Sequence, residues 1–292
     1  MDEIGLSYDN LAQRFVNWAQ SEADLRAAMI IGSRSREDHP ADEWADLDIV
    51  IFTSTPQRYI GSVEWLDNID PPWLTFIEST PDGGWERRAL FAPGLDVDFA
   101  IIPAQYLDSL LNTTLPPMWV DIFRRGARIL LDKDGAVAQL MQKPSPDAPL
   151  FQIPTETEFL NLVNDFWYHA VWTVKHLRRG ELWWAKSGCD DRLKSLLRQV
   201  LEWHAHALKG PAYDTWMRGR FLEEWADPRA LNELPAIFAH YDRQDIARAT
   251  QRTMDLFRWL AIVVSQKWGF AYPTMGDQSA TRLVEQILND MD

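Results

Sequence analysis

The chain has 292 residues, 46% of them hydrophobic and 15 of them tryptophan, which is more than one ordinary core holds and points to two domains. Acidic residues (43) outnumber basic ones (29) for a formal charge of −14, a field that disfavours DNA and RNA, whose binding needs Lys and Arg against phosphate. A single cysteine, Cys189, excludes an internal disulfide and fits a reducing cytoplasm, the start Met1-Asp2-Glu3-Ile4 shows no secretory segment, and no apolar run nears the roughly 20 residues that span a membrane.

The acidity is local. Residues 1–150 carry 24 acids against 12 bases, and the remainder 19 against 17, so the first half would attract a cationic small molecule. A helix is predicted over residues 8–20, with Leu11, Phe15 and Trp18 on one face and Asp9 as N-cap. A strand at Met29–Ile31 runs into Gly32-Ser33-Arg34, and a second strand follows in Asp46-Leu47-Asp48-Ile49-Val50-Ile51-Phe52. Its period of two puts Asp46 and Asp48 on one face and Leu47 and Ile49 on the other. Two carboxylates side by side repel, and hard oxygen ligands suit Mg2+, which bridges carboxylates to substrate phosphates. At the end of the first strand, Gly32 lets backbone approach phosphate oxygens closely and the Ser33 hydroxyl can donate to them.

Further along, Trp73–Glu78 reads as a short strand between the turns Pro71-Pro72 and Pro81-Asp82-Gly83-Gly84. An alternating strand at Val97–Ile102 places a third acid, Asp98, where it can meet the first two, and a helix over 104–111 follows Pro103. Arg128–Asp132 reads as another strand, closed by Lys133-Asp134-Gly135. Prolines at 144, 146, 149 and 154 mark a linker, which sets domains at 1–150 and 151–292. Thr155-Glu156-Thr157-Glu158 has capping-box spacing and opens a long helix through Phe159, Leu162, Val163, Phe166, Ala170 and Val174. Helical patterns recur at 191–208, 217–225, 230–241 and 245–268, so the second domain reads as a helical bundle.

The order apolar-Gly-Ser, a polar gap, acid-apolar-acid-apolar, then a later acid between apolar residues resembles the nucleotidyltransferase superfamily. Within it, the chain from Gly32 onward is similar to the aminoglycoside 6-adenylyltransferases. That resemblance rests on Gly32-Ser33-Arg34, Asp46 and Asp48, Val97-Asp98, Leu131–Asp134, Asn164-Asp165-Phe166-Trp167, Lys175, Arg179, Glu181, Ala185-Lys186, Leu256-Phe257-Arg258, Gly269-Phe270 and Tyr272-Pro273. Asp165 stands where the family has Glu, and Gly219-Arg220 where it has Gly-Lys. The Asp is a methylene shorter, and Arg differs from Lys in donor geometry.

The resemblance implies an α+β chain: a nucleotidyltransferase-fold domain with a mixed sheet and helices, then a helical bundle that closes the acceptor site. It implies transfer of AMP from Mg-ATP to a hydroxyl of a cationic aminoglycoside such as streptomycin, and so antibiotic resistance. Asp46, Asp48 and Asp98 would form the catalytic and metal set, Asp98 being either the base for the acceptor hydroxyl or a further metal ligand. Gly32, Ser33, Arg34, Lys175 and Lys186 would contact the nucleotide, and Asp165 and Trp167 the acceptor. Trp167 at helical spacing equally fits a core position, and Lys175 with Arg179 equally fits a decorated helix surface. Three other readings stand beside this one: a different small-molecule or protein hydroxyl as acceptor, a non-catalytic nucleotide-binding module, and a helical ribonuclease of toxin–antitoxin type built on Arg198 and His204.

Overall fold

The computed structural model describes residues 3–80, 83–143 and 150–291, with side chains from residue 7 onward. Met1 and Asp2, the Pro81-Asp82 half of the expected turn, and the linker prolines 144, 146 and 149 lie outside the described residues. The chain divides into two units, Met1–Pro149 and Leu150–Asp292.

The first unit begins with α1 (Glu3–Ser21), then β1 (Leu25–Ile31), β2 (Leu47–Thr53), α2 (Pro56–Gly61), β3 (Leu74–Ser79), β4 (Trp85–Phe91), β5 (Leu95–Pro103), α3 (Ala104–Asn112), α4 (Pro117–Arg125), β6 (Arg128–Asp132) and α5 (Ala136–Met141). Asp9 is therefore an interior residue of α1, not its cap, because the helix starts well before the apolar spacing suggests. The predicted face holds: Leu11, Phe15 and Trp18 are buried. The strands form a six-stranded sheet in the order β3-β4-β5-β2-β1-β6, in which β2 and β5 are parallel and the other neighbours antiparallel. A mixed sheet with helices is thus the observed class.

Alternate side chains serve two cores, as the pleat requires. One face buries Ile49, Ile51, Val97 and Phe99 against Leu11, Phe15 and Trp18 of α1. The other buries Val50 and Phe52 against Leu107, Trp119 and Val137 of α3, α4 and α5. Strand β4 escaped the hydrophobic pattern because a charged residue, Arg87, occupies one of its inward positions, only 4% exposed. Its guanidinium is satisfied by the carbonyls of Tyr59 and Ile60 and the Thr75 hydroxyl, which is what lets a cation sit there.

The second unit is helical: α6 (Glu156–Arg178), α7 (Leu182–Ser187), α8 (Leu193–Lys209), α9 (Leu222–Trp225), α10 (Pro228–Ile237), α11 (Arg243–Trp268) and α12 (Thr274–Asn289). Thr155 caps α6 as expected: its hydroxyl accepts from the Glu158 amide at 3.2 Å and the Glu158 carboxylate accepts from the Thr155 amide at 2.7 Å. Phe159, Phe166, Val200, Phe257 and Val264 are fully buried where these helices meet. No single helix covers 217–225. A short turn at Met217–Gly219 and the four-residue α9 stand there instead, because Trp216, Arg218, Gly219 and Phe221 all take positive φ. Among the described residues no helix is long and apolar enough to cross a membrane.

Candidate active site

Parallel pairing of β2 with β5 sets Asp48 opposite Asp98, and both point to the face that carries Val50 and Phe52. Helices α3 and α4 bury Val50 and Phe52, the latter against Trp119 at 6.0 Å, while Asp48 and Asp98 nearer the strand starts are only half-buried. Asp46 precedes β2 by one residue. One carboxylate oxygen from each of Asp46, Asp48 and Asp98 lies within 4.8 Å of the other two. All three donors are hard oxygens, half-buried and mutually repelling, which is a set that suits a hard divalent cation such as Mg2+.

The Asp98 carboxyl is pushed up from 3.8 to about 6. Burial contributes most; the charges of Glu86, Asp46 and Asp96 add to it, and the Arg88 guanidinium opposes them. Arg88, across from Asp98 on β4, places Nη2 3.5 Å from the Asp98 carboxylate. It is held there by Glu86 at 2.6 Å and Glu78 at 3.0 Å. Sequence reasoning missed Arg88. The signal available was the alternation of 85–91, where Arg88 falls opposite in phase to Ala89 and Phe91.

Gly32 and Ser33 open a tight turn directly after β1. Gly32 has φ +73, and a β-carbon there would stand 2.1 Å from Asp48 Oδ2, so only glycine lets the turn and the carboxylate coexist. Ser33 is buried, and its Oγ has no hydrogen-bond partner among the described residues. An unmet buried hydroxyl costs free energy unless a ligand satisfies it, which makes this group a donor in waiting. Arg34 does something else. Its Nε and Nη2 donate to the carbonyls of Asp46 and Ala45, and its guanidinium stacks on the Tyr8 ring at 3.6 Å, so it pins the loop that delivers Asp46.

In the second unit, Asp165 is ion-paired to Arg192 and lies 2.6 Å from His169 Nδ1. Trp167 is a correction: at 3% exposure it belongs to the core, edge-on to Phe166 and Phe257, with no face left for an acceptor. Lys175 is exposed on α6, and Lys186 is paired with Asp190. The Arg198–His204 alternative does not form a solvent-facing acid–base pair. His204 is buried against Trp259, desolvation holds it below its ordinary value, and Arg198 is engaged by Glu202.

Known proteins resemble this chain along nearly its whole length. The family model described as streptomycin adenylyltransferase matches residues 7–287. The aminoglycoside 6-adenylyltransferase of Bacillus subtilis (strain 168) is 25% identical over 280 residues, 94% of this chain and 95% of that protein. Its namesake from Campylobacter jejuni is 21% identical over 277 residues, 93% and 92% of the two chains. A crystal structure of an aminoglycoside 6-adenyltransferase from Bacillus subtilis aligns with a TM-score of 0.46 at 19% identity, covering 94% of this chain and 96% of that one.

Proposed function

The chain belongs to the streptomycin adenylyltransferase family, and from that premise we propose that it transfers the adenylyl group of ATP to a hydroxyl of a cationic aminoglycoside such as streptomycin. Membership makes it a nucleotidyltransferase; the donor nucleotide, the metal and the acceptor are the proposal. The observation that carries it is the meeting of Asp46, Asp48 and Asp98 within 4.8 Å, beside a turn whose Ser33 hydroxyl is buried without a partner.

Asp46 and Asp48 would hold Mg2+ with Asp98 on the third side, and the ion would supply charge neutralisation for the triphosphate. Gly32 leaves its α-carbon bare so that backbone comes close to a phosphate oxygen, and Ser33 Oγ donates to the same group. Asp98 takes the proton of the acceptor hydroxyl as that oxygen bonds to the α-phosphorus and the bond to pyrophosphate breaks. A carboxyl raised toward neutrality is a stronger base than a free one, and Arg88 orients it. The remaining contribution of the protein is position and charge, which is how such transfers are generally catalysed. Residues 1–150, with twice as many acids as bases, suit a polycationic acceptor, and the named activity of the relatives supports the aminoglycoside class. A modified drug no longer acts, so the consequence for the host cell is resistance.

The test is purified protein with Mg-ATP and a panel of aminoglycosides plus a neutral polyol, read by mass spectrometry for an added adenylyl group and by release of pyrophosphate. Streptomycin is expected to gain one AMP, at a rate that falls as salt screens the exposed charges beyond about 8–10 Å. No adduct on any panel member at low salt removes the aminoglycoside reading and leaves the broader enzyme class.

A further inference from the structure

Helices α3, α4 and α5 cover only part of the sheet face that carries Asp48 and Asp98. Their core takes in Ala27 and Met29 of β1 and Val50 and Phe52 of β2, with Ala100 and Ile102 of β5 packed against it, and among the described residues nothing from β3 or β4 joins it. The uncovered part has a definite composition. Strand register lays one transverse row across four strands: Asp48 opposite Asp98, Asp98 opposite Arg88, and Arg88 opposite Phe76 on the edge strand β3. Residues directly opposite one another share a face, so Phe76 lies on the side of the acids, and at about 4.8 Å per strand it stands about 10 Å from Asp98. Phe76 is 55% exposed and Leu74, next on the same face, 66%. The flanking rows add Glu78 opposite Glu86 on one side, and Leu74, Leu90 and Asp96 on the other.

We propose, resting on the adenylyl-transfer reading, that this open face of β3, β4 and β5 is a shelf for the acceptor, on which a ring of a cationic sugar stacks against Phe76 while its ammonium groups meet Glu78, Glu86 and Asp96. The surface matches that chemistry in two ways at once. An aminosugar has an apolar C–H face and a charged rim, and the shelf offers an aromatic ring beside a leucine within a margin of carboxylates. Covering Phe76 and Leu74 also takes adjoining apolar surface out of water. Charge decides among occupants. Glu78, Glu86 and Asp98 surround Arg88, the one guanidinium of the row, and Asp96 lies beyond them, held by the Tyr8 hydroxyl at 2.9 Å. Carboxylates thus outnumber the cation, a field that draws a polyamine, leaves a neutral polyol indifferent and repels an anion. The span decides the size: a hydroxyl presented to Asp98 leaves the rest of a multi-ring molecule lying over Arg88 and reaching Phe76. Acceptor selectivity then rests on β3, a strand that contributes nothing to the acidic triad.

The experiment is calorimetric titration of the full-length protein with streptomycin, in Mg2+ and a non-transferable ATP analogue, beside steady-state transfer. Phe76→Ala should weaken streptomycin binding about tenfold, as for loss of one partly covered aromatic ring. Glu78→Gln should weaken it about threefold and flatten its salt dependence. Phe76→Tyr should keep the wild-type affinity. Trp85→Leu, at the same sheet edge but in phase with the inward Arg87, Ala89 and Phe91 of the opposite face, should change nothing. In transfer the losses should appear in the acceptor KM and leave the KM for ATP unchanged. Equal streptomycin affinities for wild type, Phe76→Ala and Glu78→Gln overturn the proposal even where transfer is observed. So does a wild-type dimer in sedimentation that Phe76→Ala dissociates while streptomycin affinity holds, since the face is then an interface between copies. The expected affinity pattern without transfer to streptomycin upholds the shelf and refutes the adenylyl-transfer reading instead, and a wild type that binds no member of the aminoglycoside panel refutes both.

Discussion

Replacing Asp98 with Asn should make the metal-free protein more stable while disabling it. In the folded chain the Asp98 carboxyl is pushed up to about 6 from 3.8, by burial first and then by the acids around it. The folded state thus holds a proton that the unfolded chain has released, and stability falls as pH rises from about 4 to 6, then stays at the lower level. A rise of that size corresponds at most to about 3 kcal/mol. Solvent reaches the group and Arg88 is substantially exposed, so screening reduces that to about 1 kcal/mol. For a unit of this size, about 1 kcal/mol moves the melting temperature by about 2–4 °C. Differential scanning calorimetry in EDTA should therefore show Asp98→Asn melting higher than wild type at pH 8, with the gap closing at pH 4. Addition of Mg2+ at pH 8 should favour the wild type and shrink or invert the difference, and transfer should fall by a factor of about 100 or more in the variant. If Asp98→Asn melts lower than wild type at pH 8 in EDTA, or the gap is the same at both pH values, the account of a buried Asp98 carboxyl raised by desolvation and nearby acids is wrong.

Asp46→Asn and Asp48→Asn should each abolish Mg-dependent transfer without lowering the melting temperature in EDTA, since each removes charge from the same crowded set; near-normal turnover in either would remove that residue from the metal site. Gly32→Ala should destroy activity and lower stability together, because the new methyl meets Asp48 and the backbone holds φ +73; unchanged kinetics would contradict the tight turn. Thr155→Ala should cost about 1 kcal/mol through loss of the capping box on α6, visible as a lower urea midpoint for the second unit, with KM values unaffected.

Features under short-range control are legible along the chain. The capping box at Thr155 spans three residues and is a matter of local hydrogen bonds, so its spacing alone suffices. The buried faces of α1 and α6 follow from periodicity, and the strands around Asp48 and Asp98 follow from alternation. Gly32, Ser33 and the three acids are recognisable by their order, and the resemblance they carry is upheld by the family to which the chain belongs. Long-range assembly governs the remainder. Residues 48 and 98 face each other only because β2 and β5 pair in parallel in that register, and the raised Asp98 carboxyl depends on neighbours from three separate stretches. Arg87 hides a strand because its burial is compensated by carbonyls far away in sequence, and Trp167 loses its expected contact because Phe257, ninety residues on, closes over it. A pattern read along the chain registers what a residue prefers; which distant group satisfies or repels it is settled only when the sheet and the helices are assembled.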